Sequence, residues 1–155
     1  GGAGGLALWQ RGERDLAHPL LQRYLKPMPR LAAGMALRGL AHAAIDISDG
    51  LLADLDHLLT ASEMGARLAS DALPLAEGLI DELGEREALQ AALCGGDDYE
   101  LLVSVPPAAW AEAQRRLAAQ HLALTPIGTL HEGSGVSGVS VAGKQGWQHF
   151  RGTAS

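Results

Sequence analysis

Residues 43–55 read AAIDISDGLLADL. Ala43 to Ile47 is a short apolar run of strand length, Ser48-Asp49-Gly50 is a helix-start signal, and Leu51, Leu52, Leu55, Leu58 and Leu59 follow at helical spacing. The stretch therefore predicts a strand running through a tight turn into a helix. It also poses a chemical problem, because Asp46 interrupts an apolar run and an unpartnered carboxylate is costly to bury.

Working outward, the same reading gives helices over Leu16 to Tyr24 and Leu31 to Leu40, separated by the Lys26-Pro27-Met28-Pro29 breaker. Gly65 is expected to end the central helix, with a strand resuming from Ala66 to Ser70. A helix over Glu85 to Leu93 runs up to Gly95-Gly96, and Tyr99 to Val105 is the clearest strand. After Pro106-Pro107, an amphipathic helix over Ala108 to Gln120 and strands over Leu124 to Leu130 and Val136 to Val141 complete the pattern. Helices and strands alternate throughout, which predicts an α/β or α+β domain, a layered mixed sheet with flanking helices.

Bulk composition agrees with one domain spanning residues 1–155. The chain is 47% hydrophobic and 19% charged, enough apolar material for a real core, yet only 4% aromatic. That core is expected to be built from Leu, Ala, Val and Ile. A net charge of -6 without a basic stripe argues against a nucleic-acid partner. Cys94, the sole cysteine, cannot form an internal disulfide, and no uninterrupted apolar run is long enough to cross a bilayer. These features favour a cytoplasmic protein with no membrane partner. The opening GGAGGLALWQ passes directly from glycines into a helical pattern, as a segment of something longer would, or as a flexible tail followed by a helix.

Three places carry candidate chemistry. In the first, Ser48 or Asp49 can serve simply as a helix N-cap, but a cap does not account for Asp46. Strand alternation turns Asp46 and Ser48 to one face, and the Asp49-Gly50 turn brings a second carboxylate to the same edge. Such a pair suits magnesium shared with a nucleotide's phosphates. In the second, Gly95-Gly96-Asp97-Asp98-Tyr99 is either a glycine helix cap with a solvated acidic turn or a loop that holds a polar ligand. In the third, Trp147 and Phe150 lie close together in Gly146-Trp147-Gln148-His149-Phe150, either packed on the core or presenting a flat ring to a heterocycle. Cys94, His42 and His57 have no neighbours in sequence that would make a metal set or nucleophilic triad.

Taken together, KPMPR at 26–30, AAIDISDGL at 43–51, GARLASDALP at 65–74, GGDDYELLVSVP at 95–106 and WQHF at 147–150 resemble the C-terminal domain of the thiamine-monophosphate kinases. That family is grouped with aminoimidazole ribonucleotide synthetase, selenophosphate synthetase and the hydrogenase maturation factor HypE. The resemblance implies the C-terminal half of a two-domain, homodimeric enzyme whose N-terminal ATP- and magnesium-binding domain is not in this sequence. It implies ATP-dependent phosphorylation of thiamine phosphate to thiamine diphosphate. By the same resemblance Asp46 and Asp49 are magnesium ligands, Ser48 contacts ATP, and Asp97 and Trp147 contact thiamine phosphate. No residue here corresponds to a catalytic acid, base or nucleophile. Asp97 stands where the family usually has Glu, one methylene shorter, which leaves room for a bridging water. Another ATP-dependent enzyme of the same grouping, or a non-catalytic substrate-binding module, is the alternative. On this reading the isolated chain does not turn over.

Overall fold

The computed structural model describes residues 1–139. Its elements run α1 (Gly2–Gln10), α2 (Pro19–Leu25), α3 (Leu31–Leu37), β1 (Ala43–Ile47), α4 (Leu51–Ser62), β2 (Met64–Leu68), α5 (Leu79–Leu83), α6 (Glu85–Cys94), β3 (Glu100–Ser104), α7 (Trp110–Ala118), β4 (Gly128–Glu132) and β5 (Val136–Ser137). The expected α+β character holds, with the strands divided between two small sheets. β1 pairs antiparallel with β3, with Asp46 opposite Leu101 and Ile47 opposite Glu100. β2 lies between β4, antiparallel, and β5, parallel.

Every fully buried hydrophobic residue described is Leu or Ala, as the shortage of aromatics requires. They fall into three clusters. One joins α4 to β2 and α6 through Leu55, Leu59, Leu68 and Leu93. A second packs α1 on α2 through Leu8, Leu20 and Leu21. The third holds α3 against α7 through Ala33, Leu37, Ala113 and Leu117. Each fully buried leucine contributes about 1.5–3 kcal/mol relative to an exposed one.

Several boundaries differ from the sequence reading for local reasons. α2 begins at Pro19, because His18 accepts the Leu20 N–H on Nδ1 at 3.3 Å and proline needs no partner at the first helical position. α4 ends with Glu63 in the left-handed conformation (φ 54°), and Gly65 is not its terminator. Gly65 instead sits inside β2 opposite His131, where an added Cβ would strike the imidazole ring. β4 starts only at Gly128, after Pro126, which has no N–H to donate to a ladder.

The opening glycines are part of α1 itself. A Cβ on Gly5 would run into the backbone carbonyl oxygen of Leu20, and one on Gly2 would lie 2.5 Å from that of Asp97. Their lack of side chains sets how closely α1 approaches α2 and the loop before β3. Gly34, in α3, has only Leu101 Cδ2 nearby, at 4.0 Å. The two helical glycines should therefore respond oppositely to alanine. Gly34→Ala is expected to raise stability by up to about 1 kcal/mol through helix propensity, whereas Gly5→Ala should lower it by about 1–3 kcal/mol through overpacking. Urea unfolding of both variants measures this; a stabilised Gly5→Ala would contradict the close packing of α1 on α2.

Candidate functional site

Two backbone hydrogen bonds join the turn after β1 to the loop before β3. Asp97 N–H donates to the Ser48 carbonyl and Tyr99 N–H to the Ile47 carbonyl, both at 2.8 Å. Gly96 permits this approach, because a Cβ there would be 2.5 Å from the Ser48 carbonyl oxygen. A Cβ on Gly50, at φ 110°, would lie 2.9 Å from the backbone of Cys94. Asp97 and Tyr99 themselves take left-handed conformations (φ 61° and 50°), a cost of about 1–3 kcal/mol each that the surrounding packing must sustain.

The junction brings Asp46, Ser48, Asp49 and Asp97 to one edge of the domain. Asp46 is exposed on β1, Ser48 and Asp49 are half-buried in the turn, and Asp97 is exposed on the facing loop. Tyr99 lies among the acids. Its hydroxyl donates to Asp97 Oδ1 at 3.3 Å. The Asp97 charge and that hydrogen bond raise the Tyr99 ionisation above its usual range, with smaller contributions from burial and from the charges of Asp46 and Asp49. Among the described residues, no ion pair or hydrogen bond engages the side chain of Asp46, Ser48 or Asp49. Nor does any group of three or more His, Cys, Asp or Glu side chains stand ready to enclose a metal. Two unpaired carboxylates suit magnesium, which completes its octahedron with water and phosphate oxygens.

Three features of this corner escaped the sequence reading. α4 starts on Gly50 with no side-chain cap, so neither Ser48 nor Asp49 serves as its N-cap. The loop N–H groups of Ser48 and Asp49 instead go to Oδ2 of Asp54, at 2.9 and 3.0 Å. Asp54 falls on the stripe of Leu51, Leu55 and Leu58, and an acid on that apolar stripe was the available signal. Asp98 accepts the Gly2 N–H at 2.7 Å and so caps α1 from a distant loop. Arg30, from the KPMPR turn, grips Glu100 at the start of β3 with two hydrogen bonds of 2.8 and 2.6 Å. That bidentate contact raises the Arg30 ionisation further. Trp147 lies outside the described residues.

Known proteins resemble the chain along most of its length. The model of the AIR synthase related protein family, C-terminal domain, matches residues 1–140. The thiamine-monophosphate kinase of Salmonella typhimurium is 48% identical over 108 residues, 67% of this chain and 33% of that protein. That of Haemophilus influenzae is 38% identical over 141 residues, 85% of this chain and 43% of that protein. The crystal structure of thiamine-monophosphate kinase from Stenotrophomonas maltophilia K279a aligns with a TM-score of 0.80 at 39% identity, covering 88% of this chain and 46% of that one. AaThiL complexed with AMPPCP and TMP aligns with a TM-score of 0.76 at 32% identity, covering 96% of this chain and 48% of that one. The chain thus spans less than half the length of these relatives.

The acids around Tyr99 give a direct test of the corner's electrostatics. Asp97→Asn removes both the largest repulsion and the charged acceptor, so the Tyr99 ionisation should fall toward the ordinary tyrosine range while Asp46 and Asp49 keep it somewhat raised. An NMR pH titration resolving Tyr99 from Tyr24 measures this. An unchanged Tyr99 would mean that Asp97 does not face it.

Proposed function

The chain belongs to the AIR synthase related protein family as its C-terminal domain, and on that premise we propose that it is the C-terminal half of a thiamine-monophosphate kinase. The reaction is transfer of the γ-phosphoryl group of ATP to thiamine phosphate, giving thiamine diphosphate. One observation carries the reading: Asp46, Ser48, Asp49 and Asp97 are brought together by direct bonding between the two segments that hold them. Further support comes from the names of the similar proteins and from the AMPPCP and TMP in one of them.

Charge explains why this corner would need a cation. Asp46, Asp49 and Asp97 would repel nucleotide phosphates, and the nearby Arg30 is already committed to Glu100. Asp46 and Asp49 are the residues that would hold magnesium, Ser48 Oγ would orient the nucleotide, and Asp97 would hold the acceptor end directly or through water. Bound magnesium supplies neutralisation of the charge on the transferred phosphoryl group. The acceptor is a phosphate oxygen that already carries negative charge, so no protein base is required to generate the nucleophile. This agrees with a mechanism made of positioning and electrostatics. Trp147 would lie against thiamine, stacking on the pyrimidine or facing the thiazolium cation.

In this reading the relatives' additional length supplies the other wall of the site, and the whole protein is a cytoplasmic homodimer. The net charge of -6 fits small phosphorylated ligands brought in with magnesium better than a nucleic-acid partner. No helix among the described residues is long and apolar enough to cross a membrane.

The test compares the 155-residue chain with the full-length protein of its gene. With ATP, magnesium and thiamine phosphate, the full-length protein should form thiamine diphosphate and the chain alone should not. Asp46→Asn or Asp49→Asn in the longer protein should lower the rate about a hundredfold or more, the scale of misplaced reacting groups. Turnover by the isolated chain, or full activity of both variants, would refute the assignment.

A further inference from the structure

Asp54 is the single buried charged residue among those described, at 4% exposure. It lies on the face of α4 that buries Leu51, Leu55 and Leu58. A leucine there would extend the apolar stripe, whereas a buried carboxylate must recover its lost hydration from hydrogen bonds. No Lys, Arg or His among the described residues forms an ion pair with it. Its recorded partners are two N–H groups of the preceding turn, those of Ser48 and Asp49, both on Oδ2.

The consequence lies in what those bonds leave over. The Ser48 backbone is fixed at both its polar groups: its N–H is taken by Asp54 and its carbonyl receives the Asp97 N–H at 2.8 Å. The Ile47 carbonyl is likewise held by Tyr99 N–H. In an ordinary helix start the side chain of a Ser or Asp beside the cap would satisfy orphan N–H groups itself. Here Gly50 occupies the cap position without a side chain, and Asp54, one turn into the helix, binds the N–H groups of the two residues that precede the cap. The Ser48 hydroxyl and the Asp49 carboxylate make no cap bond, and neither has a hydrogen-bond partner among the described residues.

We infer that Asp54 is a positioning residue for the metal–nucleotide corner: by binding the N–H groups of Ser48 and Asp49 it holds rigid the turn that presents both side chains to ligands. The inference rests on the kinase reading above. It predicts a role in magnesium-dependent nucleotide binding for a side chain that touches neither metal nor nucleotide. Ligand-orienting partners one shell out from a metal change its affinity about 10–100-fold when removed, and that is the range expected here.

Three variants in the full-length protein separate positioning from mere structure. Asp54→Leu fills the apolar stripe but has no acceptor, Asp54→Ala has neither bulk nor acceptor, and Asp54→Asn keeps an acceptor oxygen. The measurement is the magnesium concentration giving half-saturation with AMPPCP, followed by calorimetry, together with thermal unfolding and the KM for thiamine phosphate. Asp54→Leu and Asp54→Ala should each raise the magnesium requirement about tenfold, and Asp54→Asn should stay within about threefold of the unsubstituted protein. The KM for thiamine phosphate should be unchanged, and Asp54→Leu should unfold no earlier than the unsubstituted protein. Hydrogen exchange at the Ser48 and Asp49 amides should accelerate in the Leu and Ala variants. A stable Asp54→Leu with an unaltered magnesium requirement would overturn the inference and leave the kinase reading standing. Failure of the unsubstituted protein to bind magnesium–AMPPCP would overturn both.

Discussion

The approach of the Gly96 backbone to the Ser48 carbonyl is the constraint on which the arrangement of this corner depends. A side chain at position 96 would meet that oxygen at 2.5 Å, so the hydrogen bonds from Asp97 to Ser48 and from Tyr99 to Ile47 depend on glycine being there. Segments about fifty residues apart in sequence become one corner, and the pairing of β1 with β3 continues outward from it. Around this point the rest of the fold behaves as a support. α4 carries Asp54 to the turn, α1 is capped by Asp98 from the same loop, and Arg30 clamps Glu100 where β3 begins. The helix that follows the turn and two segments distant in sequence, α1 and the one bearing Arg30, are thus tied to a single loop pair.

The electrostatic arrangement follows from the same geometry. Acids are concentrated where the two segments meet, and the adjacent Arg30 is paired with Glu100, which Arg23 also approaches at 3.7 Å. A corner of that sign repels phosphates unless a divalent cation intervenes, so metal and nucleotide affinity are expected to be coupled. Tyr99 reports the same field through its raised ionisation. The positive φ values at Asp97 and Tyr99 concentrate strain in the loop before β3, where it is sustained by the bonds to Ser48 and Ile47.

Much of this was legible in the sequence, because the informative signals were local. β1 begins and ends where the apolar run Ala43 to Ile47 does, and α6 closes at Cys94, one residue beyond the expected limit. The nearness of Asp46, Ser48 and Asp49 followed from strand alternation and a glycine turn. What was not legible depends on long-range approach. Glycines at the start of the chain read as a loop or tail by propensity, yet Gly2, Gly4 and Gly5 form part of α1, where tight packing against α2 and the 96–97 backbone outweighs propensity. Ser48 or Asp49 could have been a cap, and only the structure reveals that α4 has no side-chain cap and that Asp54 binds the N–H groups of both residues instead. The Arg30–Glu100 contact spans 70 residues and leaves no periodic trace. Asp97 could not be joined to Ser48 by spacing alone, since backbone hydrogen bonds make that join.

The most direct measurement is on Gly96→Ala in the full-length protein, because it alters the backbone approach without touching a charged or ligand-facing group. Binding of magnesium–AMPPCP and of thiamine phosphate, each followed by calorimetry, should both weaken, by about 1–3 kcal/mol, the scale of forcing one extra methyl group into a packed contact. Joint loss is the expected signature, since the turn carrying Ser48 and Asp49 and the loop carrying Asp97 are positioned by the same junction. A Gly96→Ala protein that folds and binds both ligands with unchanged affinity would contradict the claim that this junction builds the site.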